Sequence, residues 1–416
     1  MEHYDIVIIG AGPAGLAAAF SAADKRKQVL LIDDNPRSGG QIWRHYKLHQ
    51  LPKSARKWID KIENSSQVTH LSQTKVVMFP APKQILLETP DTAKVVAYDK
   101  LILATGAREL FLPYPGWDLP NVTGAGGLQA QIKSGLSLKG QKVVIAGSGP
   151  LLLAAAASAR KAGADVIAIA EQTSFNHVAK FALQLVRWPI KAMQSLGLIP
   201  KRYWTDSYVE SVQEKDGKLV VTINRSGNLE PFTCDRLACG FGLMGNVELP
   251  LALGCQVEQS KVVVDSFQRT SVPDCYAVGE LTGIGGSELA LVEGQIAGYH
   301  ACGEMDDMVD LFKRREHWRN FAKLLSNTFA LSSSVKQLAT DNTLICRCED
   351  VTFEKVKQYS NMRDAKVATR CGMGACQGRI CSGVTQTLFQ WQPMVPRPPF
   401  SPARVSTIAK VGLKID

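Results

Sequence analysis

Three features of the 416-residue chain predict an α/β fold of two doubly wound, parallel-sheet domains followed by a small cysteine-rich domain. The apolar run at residues 4–9 leads directly into Gly10-Ala11-Gly12-Pro13-Ala14-Gly15, and the same strand, glycine loop and Ala-rich helix return at residues 142–159. Half of the ten cysteines then crowd into residues 346–381. At 45% apolar and 21% charged residues the chain has the composition of a globular protein, which excludes disordered, collagen-like and membrane-embedded classes. No apolar run approaches the ~18 residues needed to span a bilayer, and the N-terminus enters a strand pattern without a basic segment and signal core. A cytoplasmic location is expected, compatible with a peripheral position at the inner membrane.

The net charge is +10, and from Asp341 onward eleven basic side chains face six acidic ones. Such an end suits an acidic partner, anionic lipid or plain solubility. Nucleic acid is not expected, because no recognition helix, zinc finger or aromatic-basic RNA signature accompanies the charge.

In the first loop, Gly10 permits a tight turn, Gly12 lets a pyrophosphate approach the backbone, and Gly15 allows the helix to pack closely on the strand. The helix N-terminus that begins at Pro13 and Ala14 then faces the anion. A second strand ends at Asp33, whose carboxylate suits a ribose hydroxyl and disfavours a 2′-phosphate; Asp34 is the neighbouring alternative. The combination predicts a dinucleotide site.

Gly39-Gly40-Gln41, Leu101-Ile102-Leu103-Ala104-Thr105-Gly106 and Tyr276-Ala277-Val278-Gly279-Glu280 follow in order. These segments resemble the two-dinucleotide-binding-domain flavoproteins that include glutathione and thioredoxin reductases. The resemblance implies FAD at the first site, with the acidic residue after Gly279 at the flavin ribityl chain; Glu280 stands where Asp is usual. A helix starting near Gly286 would aim its free N–H groups at the flavin.

The second loop, Gly147-Ser148-Gly149-Pro150-Leu151-Leu152, keeps the phosphate-facing glycines but has Leu152 in the third glycine's place. That side chain is expected to push the helix off its strand or force repacking. An adenine nucleotide, a working NADH site and a structural remnant all remain open here, with Glu171 at the following strand end disfavouring NADPH. Neither place where related disulfide reductases carry a redox cysteine pair has one. His3, His45, His49, His70, His177, His300 and His317 are isolated in sequence, so no catalytic acid or base is assigned.

Cys346-Arg347-Cys348 and Cys371-Gly372-Met373-Gly374-Ala375-Cys376-Gln377-Gly378-Arg379-Ile380-Cys381 suit metal ligation rather than a disulfide framework. Residues two apart in an extended segment point to one side, so Cys346 and Cys348 can hold one iron, and Cys376 and Cys381 the other. The stretch resembles the 2Fe-2S domain of bacterioferritin-associated ferredoxin. The resemblance implies Cys346, Cys348, Cys376 and Cys381 as ligands and does not require Cys371. An empty cluster site and zinc are the alternatives.

The expected layout is an FAD-binding domain at 1–118 and 232–300, a second dinucleotide-binding-like domain at 119–231, a helical linker at 301–340, the iron-sulfur domain at 341–390 and a proline-rich extended tail at 391–416. The segment Leu237-Ala238-Cys239-Gly240-Phe241-Gly242 is expected to return the chain to the first sheet. Along nearly its whole length the chain resembles the α (A) subunits of bacterial amine dehydrogenases, of the opine oxidase, proline or hydroxyproline dehydrogenase and hydrogen cyanide synthase type. This implies a hetero-oligomer with a flavin-containing β subunit that oxidises the amine, electrons leaving through FAD and the cluster to a quinone or other carrier. A self-sufficient NAD(P)H-dependent oxidoreductase and a non-enzymatic redox sensor or scaffold are the other two readings.

Overall fold

The computed structural model describes residues 1–45, 51–196, 202–305 and 308–412. Two compact units form, one from Met1–Arg108, Met244–Ala322 and Val395–Asp416, the other from Glu109–Leu243 and Lys323–Met394. The chain thus leaves the first unit after Arg108 and returns at Met244, against expected boundaries near 118 and 232.

The first unit is built on a seven-stranded sheet. Val68–Leu71, Val29–Ile32, Glu2–Ile9 and Ala93–Leu103 run parallel, and Cys275–Ala277 joins the end of Ala93–Leu103. Gln84–Glu88 and Lys75–Met78 extend the other side antiparallel. Val29–Ile32 is buried at every position, which is why it reads as an unbroken apolar run rather than an alternating one. The helix Pro13–Asp24 opens with proline in its first turn, where no N–H is needed. It crosses Gly286–Ala301 backbone to backbone: a Cβ on Gly294 would stand 2.2 Å from the carbonyl oxygen of Ala14. The proline-rich tail has no helix or strand from Trp391 to Arg404, with Phe400 N–H donating to the Val77 carbonyl, and then forms the helix Val405–Gly412. Arg404 anchors that helix by donating to the carbonyls of Thr89, Pro90 and Thr92.

The second unit holds a five-stranded sheet in the order Tyr203–Trp204, Asp165–Glu171, Lys142–Gly147, Arg236–Gly240 and Val122–Gly124. All its pairings are parallel. This corrects the expectation for residues 237–242: their strand belongs to the second sheet, paired with Lys142–Gly147. It is the second domain's own counterpart of Ala93–Leu103, which ends in a similar small-residue turn, and the chain crosses back only after it. Ser207–Lys215, Lys218–Arg225 and Asn228–Cys234 form an antiparallel sheet in the same unit. The helical spacing near residues 301–340 is realised in Met308–Thr328 and the short Ser333–Lys336.

The cysteine segment packs a small core of Ile345, Val351, Val356, Met362, Val384 and Trp391. Around it lie the hairpin Leu344–Cys346 with Val351–Thr352, and helices Met362–Thr369 and Cys381–Phe389. The indole of Trp117 donates to the Leu344 carbonyl at 2.7 Å and fixes the segment to its unit.

Candidate functional site

The flavin motifs, scattered over the sequence, come together in the first unit. Gly12 caps the helix Pro13–Asp24 without a side-chain hydrogen bond, and no acid stands in the first turn. The helix therefore offers uncompensated N–H groups to an anion. A Cβ on Gly40 would be 3.0 Å from the Gly12 Cα, so two glycines face each other across the loop. A Cβ on Gly279 would lie 2.8 Å from that of Ala14, which brings the late motif onto the first loop. Asp33 is almost buried at the loop's edge, accepting from Ala11 N–H at 2.5 Å and from the N–H and side-chain amide of Asn35. Asp34 accepts from the Asn35 side chain at 2.9 Å. In the turn after Leu103, the Thr105 hydroxyl donates to Asn246, whose side chain returns a bond to the Thr105 carbonyl; the Asn246 N–H donates to Gly106. Ala104 is buried, and Gln41, exposed, accepts from Arg44.

Glu280 accepts from the N–H of Gly286, the first residue of the helix Gly286–Ala301; burial nevertheless raises its pKa. Its carboxyl is thus a cap for that helix. Glu293 was missed by sequence reasoning. It is 2% exposed and accepts from Gly279 N–H at 3.1 Å and the Thr282 hydroxyl at 3.0 Å, with Arg319 at 3.4 Å. Burial raises its pKa against the pull of Arg319 and these donors. The available signal was an acid inside an apolar helical run, Leu289-Ala290-Leu291-Val292-Glu293. Glu109, also missed, accepts from the N–H groups of Gly126 and Gly127 and caps the helix Ala125–Lys133.

In the second unit Gly147, Gly149 and Pro150 form the loop before the helix Leu151–Lys161. Leu152 is accommodated by local repacking, with the helix beginning one position later than in the first loop. It is fully buried, and its Cδ2 lies 3.2 Å from where a Cβ on Gly240 would stand, so the space it needs comes from a glycine in the adjacent strand. Glu171 is fully buried and accepts from Gly149 N–H at 2.7 Å and Thr173 N–H at 2.9 Å; burial raises its pKa.

All five late cysteines cluster, in two sets. Cys346, Cys371 and Cys381 are buried with their sulfurs within 4.8 Å of one another. Cys348 and Cys376 form a hydrogen-bonded pair. Cys371, which the family pattern does not require, therefore belongs to the group. At Cys376 burial opposes ionisation, but the N–H groups of Ile380, Gly378 and Arg379, with the Cys348 thiol, lower its pKa. A Cβ on Gly374 would stand 2.2 Å from that of Cys348, so the glycine run is what lets the two halves of the set meet. The histidines supply no buried acid–base pair among the described residues: His3 meets Asp99 at 3.0 Å with both more than half exposed, and His49 lies outside the described residues.

Residues 4–305 match the family model described as pyridine nucleotide-disulphide oxidoreductase. The chain belongs to that family. It is a flavin-dependent oxidoreductase, and the donors gathered around the first loop fit FAD. The HcnB subunit of hydrogen cyanide synthase from Pseudomonas aeruginosa is 30% identical, over 91% of this chain and 90% of the relative. An opine oxidase subunit from Rhizobium meliloti is 26% identical over 99% of this chain and 88% of the relative. Among solved structures, L-proline dehydrogenase from P. horikoshii superposes with a TM-score of 0.64 at 18% identity, covering 98% of this chain and 79% of that one. Thioredoxin reductase of T. acidophilum gives 0.57 at 21%, covering 73% and 99%. Residues 329–332 of the same chain lie against the second loop, where the Ser148 hydroxyl donates to the Phe329 carbonyl at 3.0 Å. No helix among the described residues is long and apolar enough to cross a membrane.

Proposed function

We propose that the chain is the FAD- and 2Fe-2S-bearing, electron-transferring subunit of a hetero-oligomeric dehydrogenase that acts on an amine or imino acid. The observation that carries this reading is the extent of the match to subunits of hydrogen cyanide synthase and opine oxidase. At 99% of the chain, the opine oxidase match continues past residue 305, where the family model stops, through the cysteine segment. When bound, FAD supplies a two-electron centre and the cluster a one-electron centre, so the pair suits electron splitting toward a quinone or other carrier.

The chain's own residues are suited to holding these groups and not to activating an amine. Asp33 and the N-terminus of Pro13–Asp24 would hold the nucleotide half of FAD, with Glu280 and Gly286 on the flavin side. Cys346, Cys348, Cys376 and Cys381 hold the cluster on this reading, the N–H groups of Gly378, Arg379 and Ile380 stabilising charge at Cys376. Substrate oxidation is assigned on this reading to a flavin-containing partner subunit. In the assembled complex, Cys376→Ser is expected to lower amine-to-dye activity at least ~10-fold and to lower iron content, with FAD retained. Undiminished activity would remove the cluster from the electron path.

A further inference from the structure

The second glycine loop has lost its third glycine yet keeps a full set of polar groups at its mouth, and all of them are engaged within the chain. The Ser148 hydroxyl donates to the Phe329 carbonyl at 3.0 Å. The side-chain amide of Gln172 donates to the Ala330 carbonyl at 2.8 Å and to the Ser148 oxygen at 3.1 Å, and its own oxygen accepts from Ser332 N–H at 2.9 Å. The Phe329 side chain covers the bare backbone of the loop: its Cβ and Cγ lie 3.6 Å from where a Cβ on Gly149 would stand. Its ring packs edge-on against Phe181 at 5.1 Å. Beneath it, the Gly149 N–H is satisfied by Glu171.

A nicotinamide dinucleotide needs those same positions. Its pyrophosphate must pass over the second glycine of the motif at van der Waals contact, and its ribose must reach the carboxylate at the end of the next strand. Here a phenyl group fills the first place, and Glu171 is fully buried beneath the loop. We propose that residues 329–332 are an internal strap that closes the second nucleotide site, so that NADH or its ADP-ribose moiety binds only in the fraction of molecules whose strap has lifted. The apparent affinity is then the intrinsic one reduced by that open fraction. The strap uses two backbone carbonyls and one N–H in a pattern matched by Ser148 and Gln172. The loop thus recognises a peptide of its own chain with the groups that would otherwise face the nucleotide.

The test is a calorimetric titration of the purified chain with ADP-ribose, alongside anaerobic titration with NADH. The unmodified chain is expected to bind ADP-ribose weakly and to show no flavin bleaching at stoichiometric NADH. The Phe329→Ala variant removes the cover and leaves Ser148 and Gln172 in place. It is expected to tighten ADP-ribose binding on the order of 10- to 100-fold, with flavin content unchanged as the check on folding. No gain in affinity overturns the proposal, whether because the unmodified chain already binds well or because neither does. Hydrogen exchange at the Ser332 amide reads the strap without a mutation: protection that millimolar ADP-ribose removes supports it, and rapid exchange in the free chain overturns it. These measurements use no amine and no partner subunit, so their failure and that of the dehydrogenase reading are separable.

Discussion

The first glycine loop and the second solve the same packing problem in opposite ways. In the first, a Cβ on Gly15 would stand 1.8 Å from the carbonyl oxygen of Gly10, so only glycine lets the helix sit there, and the Cβ of Ala104, just past the end of the neighbouring strand, is 3.4 Å away. In the second, Leu152 holds the equivalent helical position and the strand residue opposite is Gly240; the oxygens of Ala104 and Gly240 approach Gly10 and Gly147 alike. Room for the end of the Leu152 side chain comes from the strand, and the second loop also takes a different course, with Gly149 at φ +91° where Gly12 is extended at −75°. The strand–loop–helix order is therefore kept without the third glycine, by repacking of both the loop and the strand. What marks the first loop as a ligand site is its open N-terminus and facing glycine, features the second loop spends on its own chain.

The largest way to break the comparison is to put the second loop's residue into the first. Gly15→Leu is expected to cost more than about 4 kcal/mol, or to prevent folding, because the clash is with backbone; loss of visible flavin absorbance and of soluble protein is the readout. Going the other way, Gly240→Ala adds a methyl 3.2 Å from Leu152 Cδ2 and 3.3 Å from Ala125 Cβ. It should destabilise the second unit by about 1–3 kcal/mol in thermal or denaturant unfolding, with flavin content untouched. The smallest effect concerns Glu171. Its folded pKa is raised above the ordinary 4.5, so its contribution to stability is complete below that value and declines as pH rises through the raised one. Glu171→Gln is expected to flatten this decline in a pH series of unfolding midpoints. An unchanged slope would mean that the N–H groups of Gly149 and Thr173 offset its burial.

The readable parts of this molecule are those whose chemistry is local. Gly10 to Gly15, Asp33, Gly279 to Glu280 and the late cysteines each announce themselves within a few residues, because a turn, a phosphate or a metal imposes short spacing. The return strand was misread because Leu237 to Gly242 and Leu101 to Gly106 are alike; their difference is which sheet pairs with them, a long-range fact. Leu152 was legible as a change but its compensation by Gly240 was not, since the two residues meet only in the fold. Cys371 was visible, yet nothing in its spacing told that Met362–Thr369 would deliver it beside Cys346 and Cys381. The same holds for residues 329–332, an unremarkable stretch of sequence until it is laid over Gly149.

The insertion of one sheet into the middle of another also sets an order of assembly. The first unit cannot complete its seven-stranded sheet, or cover the apolar face of Pro13–Asp24, until Cys275–Ala277 and Gly286–Ala301 have been made. At roughly 5–20 residues per second, translation leaves residues 1–108 waiting on the order of 10–40 s on the ribosome. Residues 109–243, whose sheet strands are all present by Gly240, are able to fold in that interval. The flavin site, which takes Gly279 from the segment after that insertion, is complete only once residues 109–243 have been made.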